Sequence, residues 1–381
     1  MNQDTTMELR PEQLNEILSK ALGRRIVRAD CRTEQLHGGT LGDVRLVSGT
    51  AVTDGGESLP YKLVWKRQKK WERDGDPDSW RREYDLYESG LASAFTGALR
   101  PPACYHQELK KDGITLWLEY IDGVSGFALT TAMLARAALE LGRFQGRAHK
   151  RCKDIQGLCG LGDEGYMERL FGAWHRQSYS YDFFVSKDCF FSEQLKESLR
   201  SGDIALIEGK SFEYSYLRSA ACGIPAHLRE MLMDLDTRRE AVFEDLRRLP
   251  VVLCHKDFWC ENIFYTADGI RLIDWDTAGW GYMGEDIASL IVDDMPADRI
   301  AESCRSLIPA YLTGISEAME VPPGLADCIL TMALIKFGYR MLQAYIYSQA
   351  PEAREWGAHA LEAIYGLSEE SKKGNREDEG Q

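Results

Sequence analysis

The spacing of apolar residues divides the chain into a strand-rich part and a helix-rich part. Near the N-terminus, Leu14, Ile17 and Leu18 recur at helical spacing and Gly23 follows, which predicts an amphipathic helix ending there. Strands separated by turns are predicted for LHGGTLGDVRLV, YKLVWKRQ and ITLWLEYI, and one helix for SWRREYDLYESGL. We therefore expect residues 30–125 to be mostly antiparallel sheet.

Beyond Gly126 the apolar pattern becomes helical. Long helices are predicted for TTAMLARAALELGRFQGRAHKR, HLREMLMDLDTRREAVFEDLRRL and CILTMALIKFGYRMLQAYIYSQ. Two short strands around a loop and a turn are predicted for VVLCHKDFWCENIFYTADGIRLIDWDTAG. We therefore predict an α+β protein with a small antiparallel-sheet lobe over 1–121 and a larger, mostly helical lobe over 122–367. A charged tail without aromatic residues, 368–381, is predicted to be disordered.

Composition and charge exclude several classes of partner. The chain of 381 residues has a net charge of −14, which argues against nucleic acid and against an anionic membrane. It contains no run of about 18 apolar residues that could span a membrane. The start, MNQDTTMELR, lacks the features of a secretion signal. Ten cysteines without a CxxC pair favour free thiols in a reducing compartment, so we expect a cytoplasmic protein.

The charge is distributed unevenly along the chain. Acidic residues predominate over 251–330, whereas lysine and arginine predominate over 60–82. Such runs are common on solvated surfaces. An acidic and a basic segment could also face each other across a cleft, where one would attract a cationic ligand and the other an anionic one.

The stretch from residue 251 to 279 combines charged side chains with strands that look buried. Asp257 comes shortly after the apolar run VVLC, Asn262 lies five positions later, and Asp274 follows the apolar pair Leu272 and Ile273. A carboxylate can accept a proton from a hydroxyl, while an amide and a second carboxylate supply the hard oxygen ligands that magnesium prefers. Phosphoryl transfer needs this combination, because a base orients the attacking oxygen and a metal neutralises phosphate charge.

The segments HKDFWCEN and LIDWDTAG resemble the HxDxxxxN catalytic loop and the IDxx metal loop of the aminoglycoside phosphotransferase and choline kinase-like superfamily. The resemblance implies a two-lobed, protein-kinase-like fold, with ATP and Mg²⁺ as cofactors. It also implies that Asp257 is the catalytic base and that Asn262 and Asp274 bind the metal. His255 is expected to brace the catalytic loop, and Asp276 is either a second metal ligand or a structural residue.

The same resemblance predicts nucleotide-binding residues upstream. The segment HGGTLGDV supplies Gly38, Gly39 and Gly42, whose backbone amides could cover the phosphates. Lys66 matches the lysine that contacts the nucleotide phosphates. Lys62 lies on the same strand and is the rival, but the apolar residues that precede Lys66 favour the latter.

Two further family positions complete the predicted nucleotide site. Glu83 is the expected helix-borne partner of Lys66, with Glu88 as the alternative. The segment LWLEYIDG resembles the hinge between lobes, where the backbone of Glu119 and Ile121 would meet adenine.

The sequence departs from the family pattern at two places. Lys256 stands between His255 and Asp257, where many relatives have a small or neutral residue, and residues 155–250 are longer than a minimal relative needs. Asp286 matches a position that usually tethers the catalytic region.

Together these features predict a small-molecule kinase that phosphorylates a hydroxyl group. The expected acceptor is a cationic antibiotic of the aminoglycoside type. One alternative is a kinase of a metabolic alcohol, such as choline, an amino alcohol or a sugar. The other is a nucleotide-binding pseudokinase that acts as an interaction module, although the intact Lys66, Asp257, Asn262 and Asp274 argue against it.

Overall fold

The computed structural model of the chain describes residues 10–36, 42–71, 76–95, 97–150, 165–176, 193–293, 295–347 and 351–378. The strands in these residues are β1 (Ile26–Ala29), β2 (Arg32–Gln35), β3 (Gly42–Thr53), β4 (Ser58–Lys69), β5 (Leu99–Arg100), β6 (Cys104–Lys110), β7 (Gly113–Glu119), β8 (Val124–Ser125), β9 (Val251–Cys254), β10 (Ile263–Thr266), β11 (Gly269–Leu272) and β12 (Gly279–Tyr282).

The helices in the same residues are α1 (Pro11–Leu22), α2 (Arg82–Glu88), α3 (Thr131–Lys150), α4 (Tyr166–Arg176), α5 (Glu193–Ser201), α6 (Phe212–Leu217), α7 (Ala226–Thr237), α8 (Arg239–Arg247), α9 (Glu285–Val292), α10 (Ala297–Ser316), α11 (Leu325–Tyr347) and α12 (Pro351–Asp378). Short 3-10 helices include Cys260–Asn262 and Trp275–Thr277. Within the described residues, none of these helices is both long and apolar enough to cross a membrane.

The chain forms two compact units, and the first contains Met1–Ser125 and Ile263–Thr277. Its larger sheet has the antiparallel order β1-β3-β4-β7-β6, with β2 also paired to β3. Helix α1 begins at a proline and ends before Gly23, whose φ of 62° is readily adopted only by glycine. Its residues Leu14, Ile17 and Leu18 are buried against the sheet, as the helical spacing predicted.

A second sheet in this unit, ordered β5-β11-β10-β8, brings distant segments of the sequence together. Strand β10 pairs antiparallel with β8, and β11 pairs parallel with β5. These ladders explain why Ile263–Thr277 belongs to the first unit. Strand pairing over such sequence separations leaves no local signal, so no sequence pattern indicated these ladders. The division into lobes 1–121 and 122–367 stays a prediction, while the first compact unit extends to Ser125.

The second unit contains Gly126–Lys153, Gly162–Asn262 and Ala278–Gln381, and its described residues are mostly helical. Helices α3 and α10 approach closely, since a Cβ atom on Gly142 would lie 2.2 Å from the Tyr311 carbonyl oxygen and one on Gly314 would lie 2.1 Å from that of Leu139. The two-stranded sheet β9–β12 lies in this unit as well. All eight residues of α9 are buried.

The predicted α+β class, an antiparallel sheet followed by a mostly helical part, is confirmed. The end of the chain differs from the expectation. The segment from residue 368, predicted to be disordered, continues helix α12 as far as Asp378. That segment contains no proline and is rich in glutamate and lysine, which are good helix formers, so its charge alone does not end the helix.

Candidate active site

A partly buried ion-pair cluster lies in the first unit around Lys66. The Nζ of Lys66 is 2.6 Å from Oε2 of Glu83 and 2.7 Å from Oδ1 of Asp274. The side chains of Lys66 and Glu83 are 14% and 1% exposed, respectively. The structure therefore joins Asp274, which the sequence analysis assigned to the metal, to the pair Lys66 and Glu83, which it assigned to the nucleotide.

The two carboxylates of this cluster keep Lys66 protonated. Burial alone would lower the pKa of Lys66, but the attraction of Asp274 and Glu83, with their hydrogen bonds, raises it above the ordinary lysine value. The lysine is therefore cationic at neutral pH. An ammonium group has three N–H donors, so two carboxylates leave it one donor for a further anionic oxygen.

Lys66 and its rival Lys62 lie on the same face of strand β4 but differ in their contacts. Tyr61, Leu63 and Trp65 face the core, and Lys62 and Lys66 lie on the opposite face because side chains alternate along a strand. Lys62 is exposed and lies over the ring of Tyr120, 4.8 Å from its centroid.

Helix α2 carries both candidate partners, and its two carboxylates have different neighbours. Glu88 accepts a hydrogen bond from Nε2 of Gln107 at 2.7 Å, whereas Glu83 points to Lys66. The structure thus pairs Lys66 with the residue that the sequence preferred. Contact of Lys66 with phosphate stays a prediction.

Asp274 has an unusual backbone conformation that a neighbouring arginine supports. Its φ is 62°, which side-chain-bearing residues seldom adopt and which often marks functional loops. Arg82 is 2% exposed and donates from Nη1 to the carbonyl oxygen of Asp276 at 3.0 Å. The same guanidinium forms two bonds with Asp76, at 2.6 and 2.7 Å. Arg82 therefore links helix α2 to the turn after Asp274, a role that no sequence motif indicated.

The predicted hinge begins at the end of strand β7. The backbone N–H of Glu119 donates to the carbonyl oxygen of Ala103 at 2.8 Å, and Oε2 of Glu119 accepts from the N–H of Ala103 at 3.0 Å. Ile121 lies just beyond the strand. This pairing occupies the N–H of Glu119, and contact of the segment with a base stays a prediction.

The structure describes one of the three candidate loop glycines. Gly42 begins strand β3, and a Cβ atom there would lie 2.6 Å from the carbonyl oxygen of Arg67, so a larger residue would push the strands apart. Gly38 and Gly39 lie outside the described residues.

In the second unit, the candidate base and one candidate metal ligand contact each other. The Nδ2 of Asn262 donates to the backbone carbonyl of Asp257 at 2.8 Å and to its Oδ2 at 2.9 Å. Both amide hydrogens are therefore directed at Asp257, which leaves the amide oxygen of Asn262 as its atom for a metal, the kind of ligand that magnesium prefers. The 3-10 turn Cys260–Asn262 holds the asparagine in this position.

Asp286 tethers the catalytic loop, as its family position suggested. It is fully buried and accepts from the backbone N–H of His255 at 2.9 Å and of Lys256 at 2.8 Å. Gln145 adds a bond of 3.1 Å from helix α3. Burial raises the pKa of Asp286, while the charge of His255 and the two backbone bonds act against this rise.

Lys256, which stands where many relatives have a small or neutral residue, contacts an aromatic ring and a second lysine. Its φ is 65°, its side chain is buried, and its Nζ lies over the ring of Tyr166, 4.9 Å from the centroid. The buried Lys336, on helix α11, donates to the carbonyl oxygen of Lys256 at 2.9 Å and also bonds Ser289. No sequence signal indicated Lys336, because a lysine in an apolar helix could equally well lie at the surface.

Within the described residues, no group of three or more His, Cys, Asp or Glu side chains could hold a metal ion. The candidate metal ligands are one amide, in the second unit, and one carboxylate, in the first. Each is of the oxygen type that magnesium binds, and its binding by either residue stays a prediction.

Comparison with known proteins identifies the family. Residues 96–321, more than half of the chain, match the profile of the phosphotransferase enzyme family. A segment of 66 residues is 38% identical to ethanolamine kinase 2 of Rattus norvegicus; it covers 17% of this chain but only 14% of that protein.

Similar solved structures include a choline kinase from Cryptosporidium parvum Iowa II, with 14% identity, a TM-score of 0.45 and coverage of 90% of this chain and 91% of that one. Another is a microcompartment-associated aminopropanol kinase, with 13% identity, a TM-score of 0.47 and coverage of 94% and 97%. At this level of similarity the solved structures carry no information about the acceptor. The matched region contains Asp257, Asn262 and Asp274 and extends over more than half of the sequence, and the chain therefore belongs to the phosphotransferase enzyme family.

Proposed function

We propose that this protein transfers the γ-phosphate of ATP to a hydroxyl group of a small molecule, with magnesium. The observation that carries this proposal is the cluster of Lys66, Glu83 and Asp274, in which the lysine and the glutamate are largely buried. A cationic lysine held between two carboxylates, with one donor to spare, suits an anionic phosphate oxygen and has no obvious use in stabilising a fold.

Asp257 is the proposed catalytic base. Its carboxylate would accept a hydrogen bond from the acceptor hydroxyl, orient the oxygen and take its proton as the phosphoryl group moves. Asn262 fixes this carboxylate through its bond to Oδ2, and Asp286 fixes the backbone just before it. These contacts restrict the base to one orientation before the substrate arrives, which is how enzymes lower the entropic cost of reaction.

Lys66 is the proposed phosphate-binding residue, and Glu83 keeps it in place. Asn262 and Asp274 are the residues that would hold magnesium, which supplies charge neutralisation on the phosphates when bound. The backbone of Gly38, Gly39, Gly42, Glu119 and Ile121 would bind the rest of the nucleotide.

The proposed acceptor is a cationic hydroxyl compound. The acidic excess over residues 251–330 would attract a positive charge towards the segment that contains Asp257. An aminoglycoside-like antibiotic is the first candidate, and a small amino alcohol is the second. The local match to ethanolamine kinase 2 favours the second.

A turnover assay with three acceptor panels tests this proposal. Aminoglycosides, small amino alcohols and neutral sugars are each incubated with ATP and magnesium, and phosphorylated products are detected by mass spectrometry. Asp257→Asn is the matched control, because it keeps the size of the side chain and should lower turnover by at least about 10²-fold while nucleotide still binds. Nucleotide binding without turnover in any panel would favour a pseudokinase.

The charge of the acceptor has its own test. Steering by exposed charges weakens as ionic strength rises past about 0.15 M, where the Debye length is about 8 Å. The kcat/KM for a cationic acceptor should therefore fall with salt at saturating ATP, while kcat changes little. A neutral acceptor, or kcat/KM independent of salt, would reject the cationic preference and leave the phosphotransfer chemistry untouched.

A further inference from the structure

Arg271 is a buried cation in the first unit that the proposed reaction does not use. It lies in strand β11 between Ile270 and Leu272, which are both buried. Because side chains alternate along a strand, these two residues face the opposite side of the sheet from Arg271. Its own side chain is only 3% exposed. Across the ladder it pairs with the half-buried Phe264 of β10, so an aromatic ring and a guanidinium occupy the same face.

The hydrogen bonds of Arg271 are incomplete. Its Nη2 donates to Oδ2 of Asp268 at 2.7 Å. Its Nε lies 3.5 Å from Oε2 of Glu119, an oxygen that already accepts from the N–H of Ala103. Among the described residues, neither Nε nor Nη1 of Arg271 has a hydrogen-bond partner. Buried N–H groups without partners are rare and costly in folded proteins, so an acceptor that is not among the described residues, such as a bound ligand, is expected there.

The position of this unfilled donor suggests which molecule supplies the acceptor. Glu119 ends strand β7, and the proposed function assigns its backbone to the nucleobase. The guanidinium of Arg271 lies against the side chain of that residue, in the same compact unit. A base bound by the backbone of Glu119 would therefore bind at a residue whose side chain Arg271 already contacts.

We propose that Arg271 reads the nucleobase and makes the protein bind guanine nucleotides at least as tightly as adenine nucleotides. This inference rests on the proposed function, since it assumes that the hinge segment binds a nucleotide. It extends the proposed function, because it names GTP as a second phosphate donor.

The chemistry of the two purines decides the direction of the preference. Guanine has a carbonyl oxygen at ring position 6, which accepts hydrogen bonds, whereas adenine has an amino group there, which donates them. A guanidinium has five donors and no acceptor. The Nη1 of Arg271 can therefore bond the guanine oxygen but not the adenine amino group, and a donor facing a donor is unfavourable.

Direct binding measurements test the assignment. The Kd values of ATP and GTP are measured by calorimetry with magnesium and without acceptor, for the wild type, Arg271→Met and Arg100→Met. Methionine keeps the length of the side chain, and replacing a buried charge by an apolar group is often tolerated. Arg100 is the matched control, since it contacts the same Asp268 carboxylate at 3.0 Å from the neighbouring strand but is exposed.

The expected result is a change in preference and not a general loss of binding. The wild type and Arg100→Met should bind GTP at least as tightly as ATP, and Arg271→Met should shift the ratio of Kd values towards ATP by about tenfold, the scale of a lost charge-assisted hydrogen bond. If Arg271→Met does not fold, Arg271→Lys replaces it, because lysine keeps the charge but loses the Nη1 donor, and the same shift is expected.

An unchanged ratio in a folded Arg271 variant would overturn the assignment while leaving the kinase proposal intact. A wild type that binds ATP much more tightly than GTP would overturn it as well. Failure of the wild type to bind either nucleotide would reject the proposed function itself, so the two failures are distinguishable.

Discussion

Replacing Lys66 with methionine should destabilise the protein far more than the same change at Lys62. Methionine removes the charge and keeps most of the length of the side chain. At position 66 it leaves the Glu83 carboxylate, which is 1% exposed, without the cation that lies 2.6 Å away. Stranding a buried charge in this way typically costs about 3–5 kcal/mol. At position 62 the loss is one exposed contact with the ring of Tyr120, a contact that is typically worth about 0.5–1 kcal/mol.

The pH dependence of Lys66→Met follows from the same contacts. Burial raises the pKa of Glu83, and the charge of Lys66 acts against this rise, so the variant should raise that pKa further. A carboxyl group whose folded pKa is raised contributes its stability below the unfolded value of about 4.3 and loses it as pH increases through the folded value. The destabilisation of Lys66→Met should therefore be small near pH 4 and large near pH 7.

Urea denaturation monitored by tryptophan fluorescence measures both effects. The free energies of unfolding of the wild type, Lys66→Met and Lys62→Met are compared at the two pH values. Adding Glu83→Gln to Lys66→Met should recover part of the loss at pH 7, because the stranded charge is removed. If Lys62→Met is the less stable variant, or if Lys66→Met is equally destabilised at both pH values, the ion-pair reasoning is refuted.

Three further changes test other parts of the molecule. Asp274→Ala should abolish the effect of magnesium on nucleotide binding in calorimetry, and an unchanged effect would move the proposed metal site elsewhere. Lys336→Met should lower kcat by about tenfold or more with little change in KM for ATP, since the Lys256 carbonyl loses its donor and the catalytic loop shifts; equal kcat values for Lys336→Met and the wild type would contradict this. Burial and, next, the charge of Glu83 raise the pKa of Cys104 to about 12. Stability should therefore fall as pH rises above about 8.5, where the unfolded thiol ionises, and Cys104→Ala should reduce that slope by up to about 1.4 kcal/mol per pH unit; identical urea-midpoint slopes between pH 8.5 and 10 would contradict it.

The sequence predicted those parts of the site that depend on local pattern. The helical spacing of Leu14, Ile17 and Leu18 placed α1 on its sheet, and the apolar residues before Lys66 favoured it over Lys62. The first prediction needs only the period of one element. Lys62 and Lys66 lie four positions apart and share one face of β4, so the choice between them depends on what that face contacts. In the structure, Lys66 contacts Glu83 of helix α2.

The residues that hold the site could not be predicted, because their partners are far away in the sequence. Gln145 reaches Asp286 across 141 positions, Lys336 reaches Lys256 across 80, and Arg82 reaches Asp276 across 194. Each of these contacts depends on which face of a helix the fold turns towards a loop. A polar residue at such a position has the same local sequence pattern as one at the surface, so no motif distinguishes them.

The two motif loops also show why reactive residues recur as sequence motifs, whereas the residues that hold the loop backbone do not. In the described part of the chain, Lys256 and Asp274 are the residues other than glycine with positive φ, and each such conformation costs on the order of 1–3 kcal/mol unless its surroundings impose it. The backbone of Lys256 is held on its N–H side by Asp286 and on its carbonyl side by Lys336, and the side chain of Asp274 is held by Lys66. The catalytic residue types are set by the reaction, so they recur as motifs, whereas any buried donor or acceptor that reaches the loop can hold the strained backbone. A substitution that removes such a support should therefore impair the reaction without altering a motif residue.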